Sequence, residues 1–237
     1  IGASAVNQHD FSVITKTLPI KSNQIRVDDL DLLMTAFDNS LHLLGQSSLY
    51  GLMVHHPSDL LIPGGEHLFE AITELKSRGL VKKIGVSIYT EEELNKLFDR
   101  YSFDLLQVPV NVYDQRLIVS GCLRDLAQSG VEIHARSAFL QGILLMEPDD
   151  LPASLSELRP HHEKYMLALK NKHLTPLSAA LRYLQGIDEI STVLVGVQSS
   201  KQLEECITAT SATASNDFDF LEFSNNNPAL VDPRRWI

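Results

Sequence analysis

Short apolar runs rich in β-branched residues alternate with stretches of helical period along most of the chain, and no other feature constrains the fold as much. The strand candidates are 11–16 (FSVITK), 49–55 (LYGLMVH), 83–87 (KIGVS), 104–110 (DLLQVPV), 131–136 (VEIHAR) and 191–195 (STVLV). Helical sequence falls between most of them. The stretch 28–45 carries a stripe of Leu30, Leu33, Phe37, Leu41 and Leu44 and stops at Gly45. A second helix at 66–78 stops at Gly79, and Thr90 with Glu93 three residues on forms a capping box for a third. A fourth covers 117–129 and closes at Gly130, and another covers 199–208. Between the fifth and sixth strands lie an acidic, proline-containing loop at 147–160 and helical sequence over 161–185. The stretch 209–227, rich in Ser, Thr and Asn, reads as a long loop.

Connections of this length suit parallel strands, whose crossovers need about a dozen residues or more. Repeated βα units imply either a doubly wound sheet or an eight-stranded barrel. A dinucleotide-binding doubly wound sheet usually opens with G-x-G-x-x-G after its first strand, and the sequence contains none. The expected fold is therefore α/β, a (β/α)8 TIM barrel with six of its eight βα units visible. Two further units, about 50–60 residues at the usual barrel average, are expected ahead of Ile1 or replaced by something else. The chain opens on Ile1 rather than Met, which fits a processed, trimmed or incompletely recorded sequence. No linker or composition break divides it, so 1–237 reads as one partial barrel domain with 209–237 as C-terminal loop and tail.

Composition narrows the function. A hydrophobic fraction of 44% supports a sizeable core and excludes a disordered scaffold. The net charge of −10 argues against nucleic acid or anionic membrane as main partner. Cys122 and Cys206 are too few for a disulfide framework, and no apolar run reaches the roughly 18–20 residues of a membrane span, so a cytoplasmic location is expected.

Barrel active sites gather at the C-terminal ends of the strands. Here those ends carry Lys16, His55, Ser87, Gln107 with Asn111, Arg136 with Ser137, and Gly196. Any one polar residue at a strand end is ordinary, because water is near; the full set around one mouth is less so. Lys16 alone could be a snorkelling lysine. His55 and His56 are adjacent, so only one can point into the mouth, and they make a poor metal pair. No metal is expected. His161 and His162 beside a proline read as surface residues, Arg234 and Arg235 as solvated, and both cysteines as buried helix residues.

These segments resemble the aldo-keto reductase superfamily, carbonyl reductases built on the same barrel. VITK at 13–16 is similar to the strand ending in the catalytic lysine, and LMVHHP at 52–57 to the strand ending in the catalytic histidine. LVKKIGVSIYTEEEL at 80–94 and DLLQVPVNVYDQRL at 104–117 resemble the nicotinamide-contacting segments. HARSAFLQGILL at 134–145 resembles the phosphate-side loop, and STVLVGVQSSKQLEEC at 191–206 the adenosine-phosphate segment. The resemblance implies that Lys16 and His55 are catalytic and that Ser87 and Gln107 contact the nicotinamide amide. Arg136 would stack on the nicotinamide ring. Ser137, Gln141 and Gly142 would lead into the pyrophosphate region, and Gly196, Val197, Gln198, Gln202, Glu205 and Cys206 would surround the adenosine ribose and its 2′-phosphate. The implied cofactor is NADPH, with NADH possible, since Gln198 and Gln202 stand where arginine often pairs with the phosphate. Cys206 replaces a frequent asparagine.

The implied reaction is hydride transfer to an aldehyde or ketone. The family's tetrad also needs an Asp and a Tyr on the first two βα units. Ile1 and Gly2 would follow that tyrosine, and Tyr50, Tyr89 and Tyr113 do not match it. A nucleotide-binding regulatory or catalytically dead relative, like the potassium-channel β-subunits of this fold, is therefore the alternative. A Schiff-base aldolase using Lys16 and a truncated product with open sheet edges are further ones. The substrate-selecting loops show no readable preference, and the oligomeric state is open.

Overall fold

The computed structural model describes residues 11–211 and 218–236. They gather into two compact units. The first holds the described residues up to Gln107 together with Gly130–Glu132, and the second holds Val108–Ser129 and the described residues from Ile133 onward. The expectations for Ile1, Gly2 and 212–217 lie outside the described residues.

The strands are β1 (Ile14–Lys16), β2 (Leu49–Val54), β3 (Val81–Ser87), β4 (Leu105–Pro109), β5 (Glu132–Arg136) and β6 (Thr192–Val193). They are parallel and lie side by side in sequence order. A doubly wound sheet reverses its strand order partway. No reversal occurs here, and the order with helices in the crossovers is that of an incomplete (β/α)8 barrel.

In the first unit, α1 (Val27–Leu44), α2 (Gly65–Ser77) and α3 (Glu91–Phe98) follow their strands. Gly45 ends α1 at φ 63°, and the Thr90–Glu93 capping box starts α3. β2 and β4 are buried on both faces almost throughout, as parallel strands covered on both sides are, and Gln107 is the polar residue within β4. Their register positions the site. Lys16 lies beside Met53, Met53 beside Gly85, Gly85 beside Leu105, and Ser87 beside Gln107. In-register partners share a face and side chains alternate, so all these residues belong to one face of the sheet. Gly85 is required there: a Cβ would come within 2.4 Å of the Leu105 carbonyl oxygen and 2.9 Å of its Cβ. Near the strand starts, Lys76 pairs with Asp104 at 2.6 Å, and the Ile84 N–H donates to the same carboxylate at 2.9 Å. Tyr50 Oη donates to Glu132 at 2.6 Å, and Lys83 forms an ion pair with that carboxylate.

The second unit contains α4 (Arg116–Val119), α5 (Cys122–Gln128), α6 (Arg159–Asn171), α7 (Pro176–Gln185), α8 (Ser200–Ser211) and α9 (Pro228–Val231). Its core is aromatic: Tyr113, Tyr165 and Phe223 are buried and meet edge to face. His162 is fully buried among them. Its Nε2 lies 2.9 Å from the Met146 carbonyl, which can only accept, so Nε2 carries the proton. Nδ1 then accepts from the Tyr113 hydroxyl at 2.7 Å. Burial holds the imidazole pKa below its ordinary value. The contribution of His162 to stability is thus complete above the unfolded pKa of about 6.5 and is lost as pH falls below it. Urea midpoints measured from pH ~7.5 to ~5.5 should therefore fall more in the wild type than in His162→Gln, whose amide cannot charge. Equal falls would remove His162 as the cause.

Several expectations need correction. The first strand candidate, 11–16, is regular strand only at Ile14–Lys16, with the Val13 carbonyl accepting from the Tyr50 N–H at 2.9 Å. The last, 191–195, is regular only at Thr192–Val193, with the Leu194 N–H donating to the Ala135 carbonyl at 2.8 Å and the Ser191 N–H to the Ile133 carbonyl at 2.9 Å. The helix expected at 117–129 is two helices, because Gly121 takes φ 80° and breaks the ladder. The proline-containing loop winds into 3-10 turns at Pro148–Asp150 and Ala153–Leu158. The long loop is shorter than expected: α8 runs to Ser211, and a 3-10 turn covers Phe220–Phe223. His161 and His162 are not surface residues. His162 is in the core, and His161 Nε2 lies 3.0 Å from the Phe223 carbonyl. Arg234 and Arg235 are both exposed as expected, although Arg234 also pairs with buried Asp232 at 2.6 Å. Cys206 is buried as expected, but Cys122 is only half-buried. No described helix is long and apolar enough to cross a membrane.

Candidate functional site

In the first unit the strand ends bring Lys16, Ser87 and Gln107 together. Lys16 closes β1 and is half-buried, while Ser87 and Gln107 are buried. The Lys16 ammonium donates to Gln107 Oε1 at 2.6 Å, across residues 91 apart in sequence. Gln107 Nε2 lies 3.9 Å from Met53 Sδ, a weak acceptor. His55 follows β2 and is exposed, with its ring 4.6 Å from that of His56. It lies just past the end of β2, two residues on from Met53. Its backbone N–H donates to Thr17 Oγ1 at 3.2 Å, and Thr17 N–H donates to the Met53 carbonyl at 2.9 Å. Thr17 thus ties the loops after β1 and β2. Buried Asp59 adds to this by accepting from the Ile20 N–H at 3.2 Å. Burial raises the Asp59 pKa.

In the second unit, every residue expected there except Arg136 lines one cleft of about 710 Å³: Ser137, Gln141, Gly142, Gly196, Val197, Gln198, Gln202, Glu205 and Cys206. Arg136 ends β5, with its guanidinium 3.4 Å from Ser137 Oγ. The 137–142 segment has an unusual backbone. Ser137 (φ 59°), Leu140 (φ 47°) and Gln141 (φ 56°) are left-handed without being glycine, which costs about 1–3 kcal/mol each. Such strain accumulates where a backbone path serves a ligand. Across the cleft, Gln202 Oε1 accepts from the Gln198 N–H at 2.7 Å, and Ser199 Oγ accepts from the Gln202 N–H at 3.2 Å, closing the turn that enters α8. A Cβ on Gly196 would meet nothing within 4 Å, so the space above it is open. Burial raises the Cys206 thiol pKa, with Glu205 adding to the effect. A second cleft of about 810 Å³ along α7 and α8 contains Glu205 but no other expected residue.

Asn111 works differently from the strand-end reading. Its side chain accepts from the Tyr113 and Asp114 N–H groups at 3.0 Å and donates to the Ser137 carbonyl at 3.2 Å, which makes it a loop clamp. Sequence reasoning missed Met53, Thr17 and Asp59. Met53 was within reach through the period-two pattern, two residues before His55. Leu177 also lines the smaller cleft and was missed, because it lies on α7 and follows no strand end.

A sequence profile of the aldo/keto reductase family matches residues 1–219. The chain belongs to the aldo/keto reductase family. This is a family of NAD(P)H-dependent oxidoreductases. The protein REDOX 2 of Catharanthus roseus is 32% identical over 111 residues, 40% of this chain and 34% of that protein, so the match spans about a third of this relative's length. The holo form of aldo-keto reductase AKR11C1 from Bacillus halodurans superposes with a TM-score of 0.71 at 18% identity, over 98% of this chain and 77% of that one. Aldose reductase from Giardia lamblia gives 0.66 at 16% identity, over 100% and 80%. At such identities these structures speak for the shared aldo/keto reductase fold.

Proposed function

We propose that the protein reduces a small aldehyde or ketone to an alcohol with NADPH, or with NADH as second choice. The observation that supports this most is the Lys16 ammonium held on Gln107 at 2.6 Å, on the same strand face as Ser87. Ser87 and Gln107 fit a nicotinamide carboxamide, since a buried amide and hydroxyl can both donate and accept. The cleft residues of the second unit fit phosphate and ribose groups, through the Ser137 hydroxyl, the glutamine amides and the open space above Gly196. Arg136 would contribute a planar guanidinium for stacking.

When bound, the nicotinamide supplies a hydride to the carbonyl carbon. His55 donates a hydrogen bond to the carbonyl oxygen, where negative charge develops. The Lys16 ammonium favours the anion of the acid that protonates this oxygen, which lowers that acid's pKa. Lys16 and His55 belong to strand-end segments tied together through Thr17, so their spacing does not depend on long flexible loops.

The test is a fluorescence titration with NADPH and NADH, followed by cofactor oxidation with a panel of aldehydes and ketones. Absence of binding to both would reject the reading, and binding without turnover across the panel would favour a nucleotide-binding regulatory role. The cleft lining includes no arginine or lysine but does include Glu205. The Gln198→Arg variant is therefore expected to raise the NADPH-over-NADH affinity ratio about tenfold, as a charge-assisted contact to the 2′-phosphate would. An unchanged ratio would place the 2′-phosphate elsewhere.

A further inference from the structure

The pairing of β1 with β2 ends on a side chain rather than on backbone. Lys16 is in register with Met53, and the Thr17 N–H donates to the Met53 carbonyl at 2.9 Å. The even spacing of a parallel ladder then calls for the His55 N–H to donate to the Thr17 carbonyl, and for residue 19 to donate to the His55 carbonyl. Residue 19 is proline and has no N–H, so the ladder cannot reach that far. The chain leaves the sheet instead. Leu18 is 49% exposed, the Ile20 N–H is taken by the Asp59 carboxylate at 3.2 Å, and the Ile25 N–H by the Pro63 carbonyl at 2.8 Å. The His55 N–H donates to Thr17 Oγ1 at 3.2 Å, on a threonine that is buried. The hydroxyl thus occupies the place in the ladder that the carbonyl of the same residue would have had.

We propose that Thr17 is a positioning residue for His55: its hydroxyl stands in for a ladder carbonyl and fixes the backbone from which the imidazole hangs, while the chain after Lys16 turns away from the sheet. The nitrogen it holds is bonded directly to the carbon that carries the His55 side chain. Beyond that nitrogen the chain enters the 3-10 turn Pro57–Leu60, so this is the last tie of β2 to β1. Serine and threonine can supply such a bond from a short side chain. Valine has the shape of threonine but cannot accept. Its methyl would also lie 3.2 Å from the His55 nitrogen, inside the about 3.5 Å of ordinary contact, and would press the two strand ends apart. The use of this tie in the reaction rests on the function proposed above, whereas the tie itself does not.

The experiment compares Thr17→Val and Thr17→Ser with the wild type by two readouts. The first is hydrogen exchange of the His55 amide together with the proton–nitrogen signals of its imidazole, assigned by their loss in His55→Gln. The second is steady-state carbonyl reduction with NADPH. In Thr17→Val the His55 amide should exchange at least about tenfold faster and the imidazole signals should move. Its kcat should fall about tenfold, part of the roughly hundredfold that a 1 Å misplacement can cost, with KM unchanged. Thr17→Ser should restore the exchange rate, the imidazole signals and kcat to within about threefold of the wild type. Thr17→Ala removes the hydroxyl without the clash and is read in place of valine where valine unfolds the chain. An exchange rate that does not change without the hydroxyl would overturn the tie. Equal losses in Thr17→Val and Thr17→Ser would overturn it too, because the threonine methyl would then be the part that matters. Faster exchange with kcat unchanged would overturn the positioning role and leave Thr17 as a strand end. A wild type that binds no NADPH and reduces no carbonyl would overturn that role together with the function proposed above, with the tie still judged by exchange.

Discussion

Carbonyl reduction by the Lys16→Met variant is expected to fall about a thousandfold, within the range that positioned acid–base groups contribute. Nucleotide affinity should change by less than about threefold, because the residues that would grip the phosphates lie in the second unit. Methionine suits this test. It keeps most of the length and apolar stem of a half-buried lysine, so the strand end remains packed while the charge is removed. Steady-state kinetics separates the outcomes. A fall confined to kcat places Lys16 in the chemistry, and a rise confined to KM makes it a binding group. Unchanged turnover rejects its assignment. Borohydride treatment with an aldehyde adds a further check, since covalent trapping on Lys16 would reveal imine chemistry instead.

The second large effect is expected from Gly85→Ala. The new methyl would sit 2.4 Å from a backbone oxygen and 2.9 Å from a Cβ, neither of which can rotate away. β3 and β4 would have to separate, and their pairing carries Ser87 and Gln107. The cost should reach about 3 kcal/mol, at the upper end for overpacking. Gly79→Ala is the control. Nothing lies within 4 Å of its Cβ, but its φ of 73° is left-handed. That variant should lose only about 1 kcal/mol, the backbone penalty alone. Urea unfolding of the two variants measures the difference, and equal losses would contradict the close approach of β3 and β4.

The existence of each strand was readable because β-branched residues concentrate in strands covered on both faces. The strand ends were not. Val13 and Leu194 still hydrogen-bond to the neighbouring strands just beyond the regular strands, so the residue at which regular pairing begins or stops cannot be read from apolar character. The helix break at Gly121 was equally hidden. A lone glycine inside a helical pattern is often tolerated, and nothing local shows that this one takes a positive φ. His162 was misread for a different reason. A histidine pair after a proline looks exposed, and its burial depends on Tyr113, 49 residues away. The segments expected to form the site were legible through their order and family resemblance. The hydrogen bond from Lys16 to Gln107 was not, because no spacing rule reaches across 91 residues.

The first unit is not continuous in sequence, and this has a consequence for its synthesis. Glu132, which receives both Tyr50 and Lys83, is made well after Gln107. On the ribosome, β1 to β4 must therefore wait through α4 and α5 before this carboxylate arrives. Lys83 and the Tyr50 hydroxyl are left without it for that interval, which at about 5–20 residues per second lasts a second or more.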